Sequence, residues 1–173
     1  EYSVLIAENY GFTKEETENL RKAALLHDIG KIAIPDEILN KPSKLSDKEY
    51  EIMKSHVTKG AEILQGFTLV ENADLGAKYH HEKYDGTGYP DGLKGIDIPL
   101  YGRIIAIADA FDAMTANRIY RKRMPFSQVM SELRNNRGKQ FDPQLLDVFI
   151  NLIDEGKIDI KALYADAEGG DEQ

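Results

Sequence analysis

Hydrophobic residues recur every three to four positions in almost every segment, and the period of two that marks β-strands is almost absent. This spacing puts hydrophobic side chains on one face of a helix and predicts an all-α fold. Thr13 and Glu16 have the spacing of a capping box, which predicts a helix that begins after Thr13 and ends near Gly30. Its hydrophobic face carries Leu20, Ala23, Ala24 and His27.

A second capping box is formed by Ser46 and Glu49 and predicts another helix. One face of this helix is predicted to carry Ile52, His56, Gly60 and Ile63. A histidine therefore lies on the hydrophobic face of this helix, as it does in the helix before it.

Two further segments place ionisable residues beside hydrophobic ones. Residues 72–81 are predicted to form a short helix with His80 and His81 at its end, and the glycine-rich segment 85–92 is predicted to be a loop. Residues 99–115 form the most hydrophobic predicted helix, yet two acids interrupt its buried face. The residues on that face are Ile105, Ala108, Asp109 and Asp112.

Two closing helices and a tail complete the predicted organisation. Ser127 and the pair Asp142-Pro143 are start signals for these helices, and Gly138 lies between them. Residues 165–173 are acidic and contain glycine. We therefore predict one domain over residues 1–164, followed by a flexible acidic tail.

Composition restricts the classes of function. The chain has 173 residues, no cysteine and a net charge of -8. Without cysteine, a bound metal must use histidine and carboxylate ligands. The acidic surface argues against binding to a nucleic acid polymer, although a small anion can still bind in a local basic pocket. No hydrophobic run reaches the roughly 18 residues of a membrane span, and the cytoplasm is the expected location.

The histidines and three aspartates form one set with shared chemistry. Burying many ionisable groups is unfavourable unless a cation satisfies them, and a divalent metal pairs with imidazole and carboxylate together. Nitrogen and oxygen ligands suit Fe, Mn, Co or Ni in six-coordinate sites, or Zn with fewer ligands. Asp28 would bridge two ions, which suits hydrolysis at phosphorus. The set consists of His27, His56, His80, His81, Asp28, Asp109 and Asp112, and it includes all four histidines of the chain.

The segment Leu26-His27-Asp28-Ile29-Gly30-Lys31 resembles the HD superfamily of metal-dependent phosphohydrolases. The resemblance narrows to the HD-GYP subfamily through three later segments in the same order: His80-His81-Glu82, Asp85-Gly86-Thr87-Gly88-Tyr89-Pro90 and Ile107-Ala108-Asp109-Ala110-Phe111-Asp112-Ala113-Met114-Thr115. A lone His-Asp pair is common, but the ordered set, from residue 2 to about residue 150, is specific. It implies a compact helical HD domain with a glycine-tyrosine-proline loop that hydrolyses cyclic di-GMP to pGpG, and in some relatives to GMP.

The resemblance also implies roles for individual residues. Asp28 and Lys31 would act in catalysis, and Lys31 would also hold a substrate phosphate. Tyr89 would lie beside the ligand, and Asp112 would support the metal ligands or the basic groups. The basic groups that reach phosphate or guanine would be Arg118 and Arg121. Two or three divalent ions, with Fe or Mn as first candidates, would be held by His27, Asp28, His56, His80, His81 and Asp109.

Other interpretations of these residues stay open. Lys31 would also serve as an ordinary cation at a helix C-terminus, and Tyr89-Pro90 as an ordinary turn. The basic run that contains Arg118 and Arg121 would also be a solvated surface. For the whole domain, the alternatives are a non-catalytic cyclic di-GMP sensor, a module that docks GGDEF-domain proteins, and a hydrolase of other nucleotides, including cyclic GMP-AMP.

The opening residues have the pattern of a helix interior, and the sequence does not begin with methionine. We therefore expect a longer parent protein, and the resemblance implies an upstream sensory or receiver domain. The family also supplies a metal-binding histidine from the preceding helix, and trinuclear members add a glutamate one turn earlier. Both residues would precede Glu1.

Overall fold

A computed structural model describes residues 1–66, 70–117 and 122–165. Within these ranges the chain forms α-helices and two short 3-10 helices, Ile29–Ala33 and Gly95–Asp97, and no strand. The all-α prediction is confirmed. The helices are α1 (Tyr2–Tyr10), α2 (Lys14–Leu26), α3 (Asp36–Leu39), α4 (Asp47–Lys54), α5 (His56–Leu64), α6 (Ala73–Tyr79), α7 (Leu100–Thr115), α8 (Phe126–Asn135), α9 (Pro143–Asp154) and α10 (Ile160–Tyr164).

Helix α7 lies at the centre of the hydrophobic core. It contacts α1, α2, α6, α8 and α9. Ile104, Ile107 and Phe111 of this helix are fully shielded from solvent. The Phe111 ring packs edge-to-face against Tyr2 of α1 and Phe149 of α9, with centroid distances of 4.9 and 5.0 Å. Since α1, α7 and α9 meet at one aromatic cluster, helices from both ends of the described chain are held to the same core.

Both predicted capping boxes are present. The Thr13 hydroxyl accepts the amide of Glu16 at 3.2 Å, and the Glu16 carboxylate accepts the amide of Thr13 at 2.7 Å. The corresponding distances for Ser46 and Glu49 are 3.4 and 2.7 Å. Helix α2 ends at Leu26, earlier than predicted, because the residues that follow form a 3-10 turn that packs against α5.

The single helix predicted after Ser46 is wrong, because the segment forms α4 and α5, which separate at Ser55. The Ser55 hydroxyl donates to the carbonyl of Ile52 at 2.6 Å, a local bond that competes with helix continuation. His56 is buried as predicted, but Ile52 and Ile63 are 40% and 47% exposed. Helix α4 buries none of its residues, so Ile52 and Ile63 do not share a buried face with His56 and Gly60.

The closing helices are present, with one correction. Helix α8 begins at Phe126 after Pro125, so Ser127 lies inside the helix and is not its cap. Helix α9 begins at Pro143, and the Asp142 carboxylate accepts the amide of Gln144 at 2.8 Å, as the start signal predicted. Residues 166–173 lie outside the described ranges, and the tail stays a prediction.

Among the described residues, no helix combines the length and the hydrophobicity that crossing a membrane requires.

Candidate metal centre

The structure brings the predicted ligands together from the ends and faces of four helices. His27 and Asp28 follow α2, and His56 is the first residue of α5. His80 and His81 follow α6, and Asp109 lies on α7. The ring centroids of His27 and His80 are 4.9 Å apart, those of His56 and His81 are 5.2 Å apart, and those of His80 and His81 are 4.2 Å apart.

Three of the histidines are each oriented by a backbone carbonyl of the helix that precedes them. The Nδ1 atoms of His27 and His56 lie 2.7 Å from the carbonyl oxygens of Ala24 and Met53. His80 Nδ1 lies 2.9 Å from the carbonyl oxygen of Ala77. Because a carbonyl oxygen only accepts hydrogen bonds, each Nδ1 carries the proton, and the lone pair of each ring is left on Nε2.

These Nε2 lone pairs face carboxylate oxygens in the interior and have no hydrogen-bond donor. The Nε2 atoms of His27, His56 and His80, and Oδ1 of Asp28, are buried without a hydrogen-bond partner. Asp28 Oδ1 lies 3.5 Å from His56 Nε2 and 3.8 Å from His80 Nε2. Acceptors that face only acceptors are costly to bury unless a cation lies between them. The donor set therefore fits a divalent metal ion.

The ligand atoms form two overlapping groups. Within each group the atoms lie within 4.8 Å of one another. The two oxygens of Asp28 point to different histidines, since Oδ2 lies 3.5 Å from His27 Nε2 while Oδ1 faces His56 and His80. His27 Nε2 also lies 3.8 Å from Asp109 Oδ1. The groups are His56, His80 and His81, and His27, Asp28 and His80.

Burial sets the protonation of the cluster. It lowers the pKa of His80 to about 3 and the pKa of His81 to about 4, and it also lowers the pKa of His56. Burial alone would raise the pKa of Asp109, but the neighbouring His27 outweighs burial and lowers this pKa to about 2. Burial alone would lower the pKa of His27, but Asp109 and Asp28 beside it raise this pKa instead. Neutral His56, His80 and His81 beside ionised carboxylates have the protonation states that metal binding requires, and a metal ion at His27 would take the place of a proton.

Lys31 and Tyr89 both contact predicted ligands. Lys31 Nζ lies 2.5 Å from Asp28 Oδ2, so its positive charge is at the edge of the cluster. The Tyr89 ring stacks on the His81 ring with a centroid distance of 5.0 Å and an interplanar angle of 26°. These positions place a cation and an aromatic ring beside the His/Asp cluster, and the substrate-binding roles of both residues stay predictions.

Asp112 differs from its predicted environment. It is exposed on α7, so it does not interrupt a buried face. Asp112 follows Asp109 by about one helical turn, and it lines a cleft of about 270 Å³ together with His27, Asp109 and Tyr2. Asp109 borders the same cleft and also lies beside His27, so the cleft opens next to the cluster. Arg118 and Arg121 lie outside the described residues.

Glu82 is a site residue to which the sequence assigned no role. Its side chain is buried, and Oε1 accepts the amides of Asp91 and Gly92 at 2.8 and 2.9 Å. A Cβ on Gly88 would lie 2.5 Å from the Glu82 Cα, so the glycine-rich loop packs directly on this residue. The sequence contained one indication of this role: the glutamate directly follows two histidines and stands just before a glycine-rich loop, whose backbone amides need acceptors.

The fold and the site together define a class of protein. It is a helical domain with a His/Asp metal centre, in which unpaired imidazole nitrogens are buried beside a carboxylate. Residues 1–145 match the sequence model of the HD domain family. The chain belongs to this family, and the loop of residues 85–90 identifies it as an HD-GYP domain.

Three curated relatives are similar over most of the chain. The chain is 44% identical over 156 residues to 3'3'-cGAMP-specific phosphodiesterase 2 of Vibrio cholerae, covering 89% of the chain and 30% of the relative. It is 45% identical over 148 residues to the cyclic di-GMP phosphodiesterase response regulator RpfG of Xanthomonas campestris, covering 84% and 39%. It is 43% identical over 150 residues to a cyclic di-GMP phosphodiesterase of Thermotoga maritima, covering 85% and 40%. The chain thus spans less than half the length of these relatives.

Two solved structures share the fold. A cyclic GMP-AMP specific phosphodiesterase of Vibrio cholerae superposes with a TM-score of 0.70 at 22% identity, covering 94% of the chain and 44% of that structure. An HD-GYP-type protein of Bdellovibrio bacteriovorus superposes with a TM-score of 0.69 at 22% identity, covering 88% and 49%. At this identity the likeness concerns the fold alone.

Proposed function

We propose that the chain is the catalytic domain of a metal-dependent phosphodiesterase that hydrolyses cyclic di-GMP to pGpG. The observation that carries this proposal is the set of buried, unpaired ligand atoms on His27, His56, His80 and Asp28. The names of the relatives from Xanthomonas campestris and Thermotoga maritima supply the substrate class. Further hydrolysis to GMP would require that the same pocket bind the linear product again.

The two ligand groups overlap at His80, whose single free nitrogen, Nε2, can bind only one ion. Two divalent ions would therefore divide the remaining ligands of the cluster between them. A third ion would need additional ligands from outside the described residues. Fe or Mn is the first candidate, with Co, Ni or Zn as alternatives, because the ligands are imidazoles and carboxylates without sulfur. Bound ions would supply Lewis acidity that polarises the phosphoryl group and lowers the pKa of a coordinated water.

The side chains of the domain have distinct tasks in this reaction. The backbone carbonyls of Ala24 and Met53 hold the His27 and His56 rings with Nε2 toward the cluster. Asp28 presents one oxygen to each side of the cluster and would join the two ions. The Lys31 ammonium stabilises negative charge that develops on the phosphate in the transition state. The Tyr89 ring stacks on His81 and would lie beside the bound substrate.

Several parts of the proposal extend beyond the described residues. Arg118 and Arg121 would bind phosphate or guanine, as the resemblance implies. Since the match covers only 30%, 39% and 40% of the three relatives, we also propose an upstream sensory or receiver domain. GGDEF-domain proteins are further candidate partners, and the bacterial cytoplasm is the proposed location.

Cyclic GMP-AMP is a second candidate substrate. A relative whose name specifies 3'3'-cGAMP is as similar to the chain, at 44% identity, as the relatives named for cyclic di-GMP, at 43% and 45%. The two substrates share the ring of two phosphodiesters and differ in one base. The metal centre acts on the part that they share, so it does not discriminate between them.

Elemental analysis together with product analysis tests the proposal. The purified protein is loaded anaerobically with Fe²⁺ or with Mn²⁺ and incubated with cyclic di-GMP, cyclic GMP-AMP and a panel of nucleoside phosphates. We expect about two ions per chain and conversion of a cyclic dinucleotide to its linear form. Preferred turnover of nucleoside phosphates would contradict the proposal, and metal binding with cyclic di-GMP binding but no turnover would favour the sensor.

A further inference from the structure

A second pocket, lined by polar and apolar atoms, adjoins the metal centre on the side of α4 and the start of α5. Its volume is about 200 Å³. It shares Tyr89 with the metal centre, because the ring of Tyr89 both lines the pocket and stacks on His81. The lining residues are Glu51, Lys54, Ser55, Thr58, Tyr89 and Pro90.

The cation of this pocket is held by two aromatic rings. Lys54 Nζ lies 5.4 Å from the centroid of the Tyr50 ring and 5.6 Å from the centroid of the Tyr89 ring. Both distances are within the roughly 6 Å over which a ring attracts a cation. The Lys54 side chain is only 26% exposed, so the ammonium is confined near the pocket although its stem is long and flexible.

The present anionic partner of Lys54 is easily replaced. Glu51 Oε1 lies 2.8 Å from Lys54 Nζ, but the Glu51 side chain is 70% exposed. A pair of this kind contributes little to stability, because water and salt screen it. An incoming anion can therefore take the place of Glu51 while the two rings keep the ammonium in position.

We propose that this pocket binds the second nucleotide of a cyclic dinucleotide, with Lys54 opposite the phosphodiester that is not being cleaved. This inference rests on the proposed function. A ring with two phosphodiesters presents one to the metal centre, where Lys31 already contacts Asp28, and the other can pair with a second cation in addition to those proposed at Arg118 and Arg121. In a chain with a net charge of -8, such a cation has to be placed locally, and Lys54 lies in the pocket beside Tyr89, the residue that the pocket shares with the metal centre.

Steady-state kinetics with two substrates test this assignment. The substrates are cyclic di-GMP, which has two phosphodiesters, and bis(p-nitrophenyl) phosphate, which has one. Lys54→Met is expected to raise KM for cyclic di-GMP about tenfold relative to KM for bis(p-nitrophenyl) phosphate, as the loss of one charge-assisted contact would. Lys54→Arg keeps the charge and is expected to restore KM to within about threefold.

Two further variants sharpen the result. Glu51→Gln removes the competing carboxylate and is expected to lower KM for cyclic di-GMP, the opposite direction to Lys54→Met. Lys48→Met removes an exposed lysine from the same helix and serves as the matched control. Metal content, measured on every variant, separates substrate binding from damage to the metal centre.

The assignment would be overturned if Lys54→Met and wild type had the same ratio of KM for cyclic di-GMP to KM for bis(p-nitrophenyl) phosphate. An equal loss of turnover on both substrates would also overturn it. If the metal-loaded wild type hydrolyses neither substrate, the proposed function fails. The dissociation constant of cyclic di-GMP, measured for wild type and Lys54→Met, then decides the inference. If the pocket binds the second nucleotide, Lys54→Met should bind cyclic di-GMP about tenfold more weakly than wild type. An unchanged constant, or no binding by the wild type, would overturn it.

Discussion

Gly30 and Gly60 lie against each other so closely that a Cβ on Gly30 would be 2.5 Å from the backbone nitrogen of Gly60 and 1.9 Å from the carbonyl oxygen of His56. This contact joins the 3-10 helix after Asp28 to the first turns of α5. It brings Asp28 Oδ1 within 3.5 Å of His56 Nε2. The spacing of two metal ligands therefore depends on the absence of a side chain at Gly30.

We expect Gly30→Ala to separate these two segments. A methyl group at this distance from backbone atoms forces them apart, and we expect a loss of stability of about 3 kcal/mol together with a large loss of metal. Thermal unfolding and elemental analysis measure the two effects. Gly66→Ala is the matched control, because no atom lies within 4 Å of the position that its methyl group would occupy. Normal metal content in Gly30→Ala would show that the contact between Gly30 and Gly60 does not set the spacing of the ligands.

Asp28 is expected to be indispensable for metal binding. Asp28→Ala removes both carboxylate oxygens that face the histidines, so we expect occupancy to fall and hydrolysis to decrease on the order of 1000-fold. The helical content, measured by circular dichroism, should be retained, because Asp28 lies outside the hydrophobic core. Asp36→Ala, at an exposed position, is the control. Retained turnover in Asp28→Ala would contradict the role of this residue.

Glu82 is expected to hold the glycine-rich loop in place. Glu82→Ala leaves the amides of Asp91 and Gly92 without their acceptor, and we expect a loss of about 2 kcal/mol. Hydrogen exchange should become faster at these two amides, whereas amides in the middle of α7 should change little. Glu82→Gln keeps one acceptor oxygen and should retain part of the protection. Unchanged exchange in Glu82→Ala would mean that the loop is held by other contacts.

Two ion pairs allow a comparison of a buried pair with an exposed one. Arg103 and Asp142 are 13% and 4% exposed and 2.7 Å apart, whereas Arg137 and Asp147 are 50% and 49% exposed and 2.6 Å apart. We expect Asp142→Ala to cost about 3 to 5 kcal/mol, because it leaves Arg103 buried without its partner and removes the cap of α9. Asp147→Ala should cost below about 1 kcal/mol. Chemical denaturation measures both, and equal costs would contradict this account.

The sequence by itself determined the features that depend on residues a few positions apart. The boxes at Thr13 and Ser46 were recognisable because each involves two residues three positions apart, and the helix face with a three-to-four period marked α7. The ligand residues were recognisable because all four histidines fall near hydrophobic positions and match an ordered family pattern. Their roles as ligands stay a prediction that the geometry supports.

Only the tertiary structure decided the features that depend on contacts between distant segments. One local feature was also missed, because the hydrogen bond from Ser55 to Ile52 that separates α4 from α5 leaves no trace in a hydrophobic pattern. Lys54 and Tyr89 are 35 positions apart in the sequence, and they meet only because α4 packs beside the glycine-rich loop. Asp112 was expected on a buried face and is exposed. The period of a helix shows which residues share a face, whereas burial depends on which other segment covers that face.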